Sequence, residues 1–187
     1  SNAKSNNMPS DKIERAIKKG TGELDGVIYE EITYEGYGPG GVAIIMDVIT
    51  DNKNRSVADI RHILTKYKGN LGESGSVSWI FEKKGQIILS RKLNDENIVF
   101  ESALEAGAED FETDDDIFII STAPESLMQI RDTLESKGYD ISSAEIEMVP
   151  KTFQKLVGKE SDIASELLNV LEDNDDVNKL YSNFYFD

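Results

Sequence analysis

Basic side chains able to contact phosphate groups gather around one predicted helix. The helix is predicted to begin at Ser56, which can cap it with Asp59 three residues on, and to end at Gly69, with its apolar residues at helical spacing. Five basic side chains stand in or beside it: Arg55, Arg61, His62, Lys66 and Lys68. Lys and Arg are the residues that neutralise phosphates. Asp59 offsets part of this charge, so an ordinary solvated helix face and a contact surface both stay open.

Catalytic or metal chemistry has little support in the residue types. His62 is the single histidine, and the chain has no cysteine. A zinc site, or a nucleophile paired with a base, would need a second such residue. Asp114, Asp115 and Asp116 stand in a row that suits a turn, without the spaced ligands and glycine of a calcium loop. The sequence therefore predicts a non-enzymatic protein with no metal site and no cofactor.

Two glycine-rich segments have the composition of loops that could approach a ligand. Residues 34–41 hold four glycines and join a strand to a strand, so no helix N-terminus stands behind them to bind an anion. Turn geometry is their expected role. Residues 69–77 form the second segment, and a predicted strand from Val77 to Phe81 follows it. Alternation along that strand predicts that Trp79 and Phe81 pack in a core.

The remaining chain predicts two sheets with helices. Strands are predicted from Val27 to Tyr34 and from Gly41 to Ile49. Six elements then follow in the order strand, helix, strand, strand, helix, strand: Gln86 to Ser90, Asn94 to Ala106, Asp110 to Thr113, Ile117 to Thr122, Pro124 to Lys137 and Ala144 to Val149. This βαββαβ order is ferredoxin-like. A helix from Ser161 to Leu171 and a strand from Val177 to Phe186 then return to the first sheet.

The predicted fold class is α+β, with two small domains in which helices cover a sheet and the ferredoxin-like domain is inserted into the other. The discontinuous domain takes residues 21–84 and 156–187, and the inserted domain takes residues 85–155. Residues 1–20 begin with Ser1-Asn2-Ala3, typical of an expression scar. A short helix from Ser10 to Gly20 follows, which we expect to belong with an N-terminal domain outside this chain.

The net charge of -16 lies entirely in the second part of the chain. Residues 1–84 carry 12 Lys and Arg against 12 Asp and Glu, whereas residues 85–187 carry 8 against 24. A strongly acidic body argues against contact with phosphates, so such contacts are expected in the first part. Without a long apolar run, a secretory signal or a cysteine, the chain is expected to be soluble, cytoplasmic and independent of membranes.

Several segments, in order along the chain, closely resemble the YebC/PmpR family. They are residues 7–9 (Asn-Met-Pro), 13–22 (Ile-Glu-Arg-Ala-Ile-Lys-Lys-Gly-Thr-Gly), 34–41 (Tyr-Glu-Gly-Tyr-Gly-Pro-Gly-Gly), 50–55 (Thr-Asp-Asn-Lys-Asn-Arg), 69–79, 81–85, 106–110 and 146–150. The resemblance implies a protein of three domains, of which this chain has the second, with the third inserted into it. The basic N-terminal domain would be absent.

Members of that family are described as transcriptional regulators that bind DNA, or as factors that act with the ribosome and relieve stalling, including a mitochondrial translational activator. Of these two roles we expect the ribosome-directed one, with ribosomal RNA or tRNA as partner and DNA as the alternative. The sequence shows no recognition helix with base-reading side chains, and an acidic body suits a factor inserted among RNA and proteins. A small-molecule-sensing ferredoxin-like module is a more distant alternative, and we expect a monomer. The implied surface facing RNA or a partner consists of Tyr37, Asn52, Lys53, Asn54, Arg55, Arg61 and His62.

Overall fold

The computed structural model describes residues 27–185, and the helix predicted from Ser10 to Gly20 lies outside them. The chain divides into two compact units. The first unit contains residues 27–82 and 150–185, and the second unit contains residues 83–149. The second unit is continuous in sequence, and it interrupts the first.

Helices and strands alternate along both units. In chain order they are β1 (Glu30–Tyr37), β2 (Ala43–Thr50), α1 (Lys53–Lys66), β3 (Asn70–Gly72), β4 (Phe81–Ser90), α2 (Glu96–Ala106), β5 (Asp110–Thr113), β6 (Ile117–Thr122), α3 (Leu127–Ser136), β7 (Ile141–Pro150), α4 (Gly158–Asp173) and β8 (Val177–Ser182). The α+β class predicted from the sequence is confirmed.

The sheet of the first unit has the strand order β3-β1-β2-β8. β1 and β2 are antiparallel, with Glu30 opposite Thr50 and Tyr37 opposite Ala43. Their connection is a short 3-10 turn in which Gly40 and Gly41 have φ angles of 66° and 82°. Glycine adopts this left-handed region at little steric cost, which confirms turn geometry as the role of Gly40 and Gly41. Of the other two glycines predicted to serve the turn, Gly36 lies within β1 and Gly38 has a φ of -102°.

Two helices cover one face of this sheet. Ile44, Met46 and Val48 alternate along β2 and point toward the helices. Ile60 and Leu64 of α1 pack against them, as do the leucines of α4, which are Leu167, Leu168 and Leu171. Each helix therefore buries one apolar stripe and turns its other face to solvent.

The second unit has the strand order β5-β6-β4-β7. The two central strands, β4 and β6, are the first and third strands of this unit in sequence. Ferredoxin-like folds have the same arrangement. Ile87 and Leu89 of β4 and Phe118 of β6 form its core with α2 and α3. The predicted βαββαβ order is therefore confirmed.

The prediction of a strand from Val77 to Phe81 with Trp79 in a core is wrong. Ser78–Ile80 form a 3-10 turn, and Trp79 is 68% exposed. The backbone N–H groups of Val77 and Ser78 donate to the Glu35 carboxylate, so they are not available to a β-ladder. Only Phe81, at the start of β4, is buried as expected.

Candidate nucleic-acid interface

Helix α1 begins three residues before the predicted start. Asn52 is its N-cap, and its Oδ1 accepts a hydrogen bond from the backbone N of Arg55 at 3.1 Å. The prediction of Ser56 as the cap is wrong, because Asn52 offers an equally good cap earlier in the chain. Asn52 therefore has a structural role at its Oδ1, while Lys53 and Asn54 occupy the exposed first turn.

Arg55 is paired with two carboxylates, although part of its side chain is exposed. Its Nη2 donates to Asp176 Oδ2 at 3.0 Å and to Asp51 Oδ1 at 2.9 Å. The hydrogen bond to Asp176, then the one to Asp51, raises the pKa of the guanidinium. Ser56 Oγ, which is buried, donates to Asp176 Oδ2 at 2.7 Å and lies 2.6 Å from Thr50 Oγ1. These groups form a network that fixes the start of α1.

The surroundings of Arg55 are acidic. An open depression of about 260 Å³ lies at this end of α1, and its lining consists of Tyr29, Asp51, Arg55, Asp59, Asn174, Asp175 and Asp176. Four of these side chains are carboxylates and one is a guanidinium, so the local field opposes a phosphate. Arg55 therefore holds the fold together, and the start of α1 is less suited to an anion than the residue types indicate.

α1 presents its remaining basic residues to solvent, with His62 and Lys66 opposite the buried stripe and Lys53 exposed in the first turn. Lys53, Arg61, His62 and Lys66 are all exposed. Without Arg55, residues 53–68 carry four Lys and Arg side chains against one acidic side chain, a net charge of +3 in a chain of net charge -16. The spacing of about 1.5 Å per residue spreads these charges over about 20 Å along the helix. We call Lys53, Arg61, His62, Lys66 and Lys68 the α1 basic face.

Lys68 has an unfavourable backbone conformation just after α1. Its φ angle is 65°, and it is the single non-glycine residue with positive φ between residues 27 and 185. The backbone N of the next residue, Gly69, donates to the Leu64 carbonyl at 2.6 Å and closes the helix. Glycine is the usual residue at such a left-handed position after a helix, so a lysine here costs stability. Strain of this kind is typical of functional positions.

Tyr37 lies at the other end of the sheet from Asn52. In the β1–β2 register Tyr37 is opposite Ala43, whereas Thr50 at the far end of β2 is opposite Glu30. The Tyr37 hydroxyl donates to the Ser76 carbonyl at 3.0 Å. The structure therefore does not bring all seven predicted residues into one patch. Lys53, Asn54, Arg61 and His62 all belong to α1, while Tyr37 supports a separate loop.

That loop, residues 72–78, is held by a buried carboxylate that the sequence analysis did not single out. Glu35 Oε1 accepts from the backbone N of Val77 at 3.0 Å and of Ser78 at 2.7 Å, and Oε2 accepts from Gly75 at 2.6 Å. Burial of Glu35 acts to raise its pKa, but the hydrogen bonds outweigh this and the net pKa is lowered. The sequence offered one signal for this role of Glu35, namely an acidic residue inside a glycine-rich strand.

Metal-binding and membrane-spanning features are absent from the described part of the chain. No group of three or more His, Asp or Glu side chains within residues 27–185 converges in a way that could hold a metal ion. Over the same residues, every helix falls short of the length and apolar character that crossing a membrane requires.

The structure is that of an α+β protein of two units. The first unit carries the α1 basic face, and the ferredoxin-like second unit is inserted into it. Residues 29–184 match the family described as "TACO1/YebC second and third domain". The chain belongs to the TACO1/YebC family.

Curated relatives and a solved structure agree with this membership. The chain is 53% identical over 182 residues to a "probable transcriptional regulatory protein" of Geotalea uraniireducens, covering 97% of this chain and 73% of the relative. A relative of the same name from Dictyoglomus turgidum is 53% identical over 183 residues, with 97% and 74% covered. The crystal structure of a conserved hypothetical protein from Aquifex aeolicus is 45% identical, with a TM-score of 0.81, covering 98% of this chain and 76% of that one.

Proposed function

We propose that this chain regulates gene expression in the cytoplasm by binding, not by catalysis, and that the α1 basic face docks on structured RNA of the ribosome. The observation that carries the proposal is the concentration of exposed positive charge on one helix of an acidic chain. Positive side chains clustered on one face are the electrostatic footprint of a nucleic-acid-binding protein.

The strained position of Lys68 supports the same surface. A glycine there would relieve the backbone, yet the chain places a fifth basic side chain at the end of the α1 basic face. Lys66, whose Nζ lies 5.6 Å from the centre of the Tyr67 ring, adds a second positive charge in the last turn of α1. Positive charge at this end of α1 is therefore retained despite a cost in stability, as expected for a contact point.

RNA is favoured over duplex DNA because of the neighbour of α1. A helix lying in a major groove has phosphates on both of its sides. α4 packs beside α1, and the Tyr67 hydroxyl donates to Glu166 of α4 at 3.4 Å. α4 carries one basic and five acidic side chains, a net charge of -4. Its carboxylates would repel one of the two phosphate rows, whereas the irregular backbone of folded RNA can approach from the α1 side alone.

Regulation of transcription by binding DNA is the second candidate function, favoured by the name shared by the curated relatives. The two candidates differ in the ligand and not in the surface. Duplex DNA as target requires a docking geometry that keeps the α4 carboxylates away from the phosphate backbone.

The experiment that tests the proposal is co-sedimentation of the chain with ribosomes, with a mixed-sequence DNA duplex as competitor. The test variant changes Lys53, Arg61 and Lys66 to Glu, and leaves Arg55 intact because it holds Asp176. We expect ribosome association that falls with salt, resists excess duplex and is lost in the variant. Association that duplex DNA abolishes at equal concentration would favour the transcriptional alternative.

A matched control separates local from global charge. Lys83, Arg91 and Lys92 of the second unit are exposed, and changing them to Glu alters the net charge by the same amount. We expect this control variant to retain most of the association. Equal loss in both variants would mean that only the overall charge matters, and the assignment to the α1 basic face would fail.

A further inference from the structure

Exposed aromatic side chains occur in a second part of the first unit, outside the α1 basic face. Trp79 is 68% exposed, Phe153 60% and Tyr185 45%. Large aromatic side chains are normally buried in cores, so their exposure at nearby positions calls for a binding role. None of the three belongs to the α1 basic face.

The backbone holds Phe153 and Tyr185 side by side. Gln154 and Phe184 form a parallel bridge, in which Gln154 N donates to the Asn183 carbonyl at 2.7 Å and Tyr185 N donates to the Gln154 carbonyl at 3.0 Å. Phe184 points into the core. Side chains alternate along extended backbone, so Phe153 and Tyr185 point outward. Their ring centres are 6.1 Å apart with an interplanar angle of 80°.

Lysines accompany these rings. Lys155 Nζ lies 5.8 Å from the centre of the Tyr185 ring. Residues 151–159 carry Lys151, Lys155 and Lys159 and no acidic residue, a net charge of +3 within a chain of net charge -16. An aliphatic or basic partner gains nothing from that charge, whereas a polyanion is attracted by it.

Trp79 is fixed beside the start of the same segment. The Ile80 carbonyl accepts a hydrogen bond from Lys151 N at 2.8 Å, which aligns the turn carrying Trp79 with residue 151. Trp79 Nε1 donates to the Ser76 carbonyl at 2.9 Å. The indole has thereby used its only donor within the protein, and what it offers to a ligand is its ring face. This suits stacking better than hydrogen-bonded recognition.

We infer that Trp79, Phe153 and Tyr185, with Lys151 and Lys155, form a binding site for an unpaired nucleic-acid strand. The bases stack on the rings and the phosphates lie near the lysines. Single-strand binding proteins combine aromatic stacking platforms with positive charge in this way. The inference rests on the proposed function in that the chain docks on nucleic acid, and it adds a second contact that recognises unpaired bases.

The chain carries its own probe for the test, because Trp79 is its only tryptophan. We would titrate the full chain with oligoadenylate and follow tryptophan fluorescence, since a stacked base quenches an indole. Saturable quenching is expected. The variant with Phe153→Leu and Tyr185→Leu keeps apolar side chains but removes two rings, and should bind about tenfold or more weakly. Phe100→Leu, which changes an exposed aromatic residue of the second unit, is the matched control and should bind as the parent does.

Two results would overturn the inference. One is that oligoadenylate neither binds nor quenches the tryptophan fluorescence. The other is that the double leucine variant binds oligoadenylate as tightly as the parent chain does, which would indicate an apolar surface that contacts a protein. The titration is repeated with oligodeoxyadenylate. The strand that binds more tightly shows whether the site takes unpaired RNA or unpaired DNA. If the parent chain associates with ribosomes but does not bind the oligonucleotides, this aromatic site alone is rejected. Ribosome association that is retained in the α1 charge variant, together with oligonucleotide binding that the double leucine variant loses, would reject the α1 basic face alone.

Discussion

Arg55 Nη2 lies 3.0 Å from Asp176 Oδ2, although the two residues are 121 positions apart in sequence. The whole second unit is inserted between them. Asp176 immediately precedes β8, and its carbonyl accepts a hydrogen bond from Ile49 N at 2.9 Å. The pair therefore joins the two halves of the interrupted first unit at the point where α1 starts.

Replacing Asp176 by Asn should destabilise the protein. The buried carboxylate accepts from both Arg55 and Ser56, and an amide replaces a charged acceptor with a neutral one. Loss of such charge-assisted bonds should lower the free energy of unfolding by about 1.5–3 kcal/mol. Arg55 is 46% exposed, so the loss should stay below that of a fully buried pair. Urea denaturation measures it, with Asp173→Asn as an exposed control expected to change little.

Glu35 should make stability depend on acid pH. Its pKa in the folded protein is lowered from the ordinary value of 4.5. Such a group stabilises the fold at pH above the unfolded value, and this contribution is lost as the pH falls through the folded value. Glu35→Gln should therefore cost about 1.5–3 kcal/mol at neutral pH, and progressively less below about pH 4.5. Denaturation curves recorded at several pH values test this, and a difference independent of pH would contradict it.

Changing Lys68 to Gly should raise stability while weakening binding. The left-handed backbone at Lys68 costs about 1 kcal/mol for a residue with a Cβ, and glycine removes that cost. The same change removes one charge from the α1 basic face. We expect a higher melting temperature together with weaker ribosome association. Lys66→Gln removes a charge at a helical position with ordinary φ, and it should weaken binding without the gain in stability.

The order of helices and strands could be predicted from the sequence because it depends on local patterns. Alternating residues place β5 at Asp110–Thr113 and β6 at Ile117–Thr122, the same bounds as predicted. Helix α2 ends at Ala106, as predicted, because Gly107 adopts a φ of 105°. These features depend on residues close in sequence, which a single chain displays directly.

The surroundings of the candidate residues could not be predicted, since they depend on distant partners. Nothing near Arg55 indicates that Asp176 will neutralise it. Nothing near Trp79 shows that Glu35, 42 positions from Val77, will accept the backbone N–H groups that a strand would need. The exposure of Trp79 follows from that single carboxylate. Basic residues were therefore easier to find than the environment that decides their role.

The most direct test of the central claim is the salt dependence of ribosome binding, compared between the parent chain and the variant with Lys53, Arg61 and Lys66 changed to Gln. Each phosphate contact contributes about one unit to the slope of the logarithm of affinity against the logarithm of salt concentration. If the α1 basic face lies on RNA phosphates, the slope should become shallower by about two to three units in the variant. An unchanged slope, with affinity equal to that of the parent chain, would contradict nucleic-acid docking through α1.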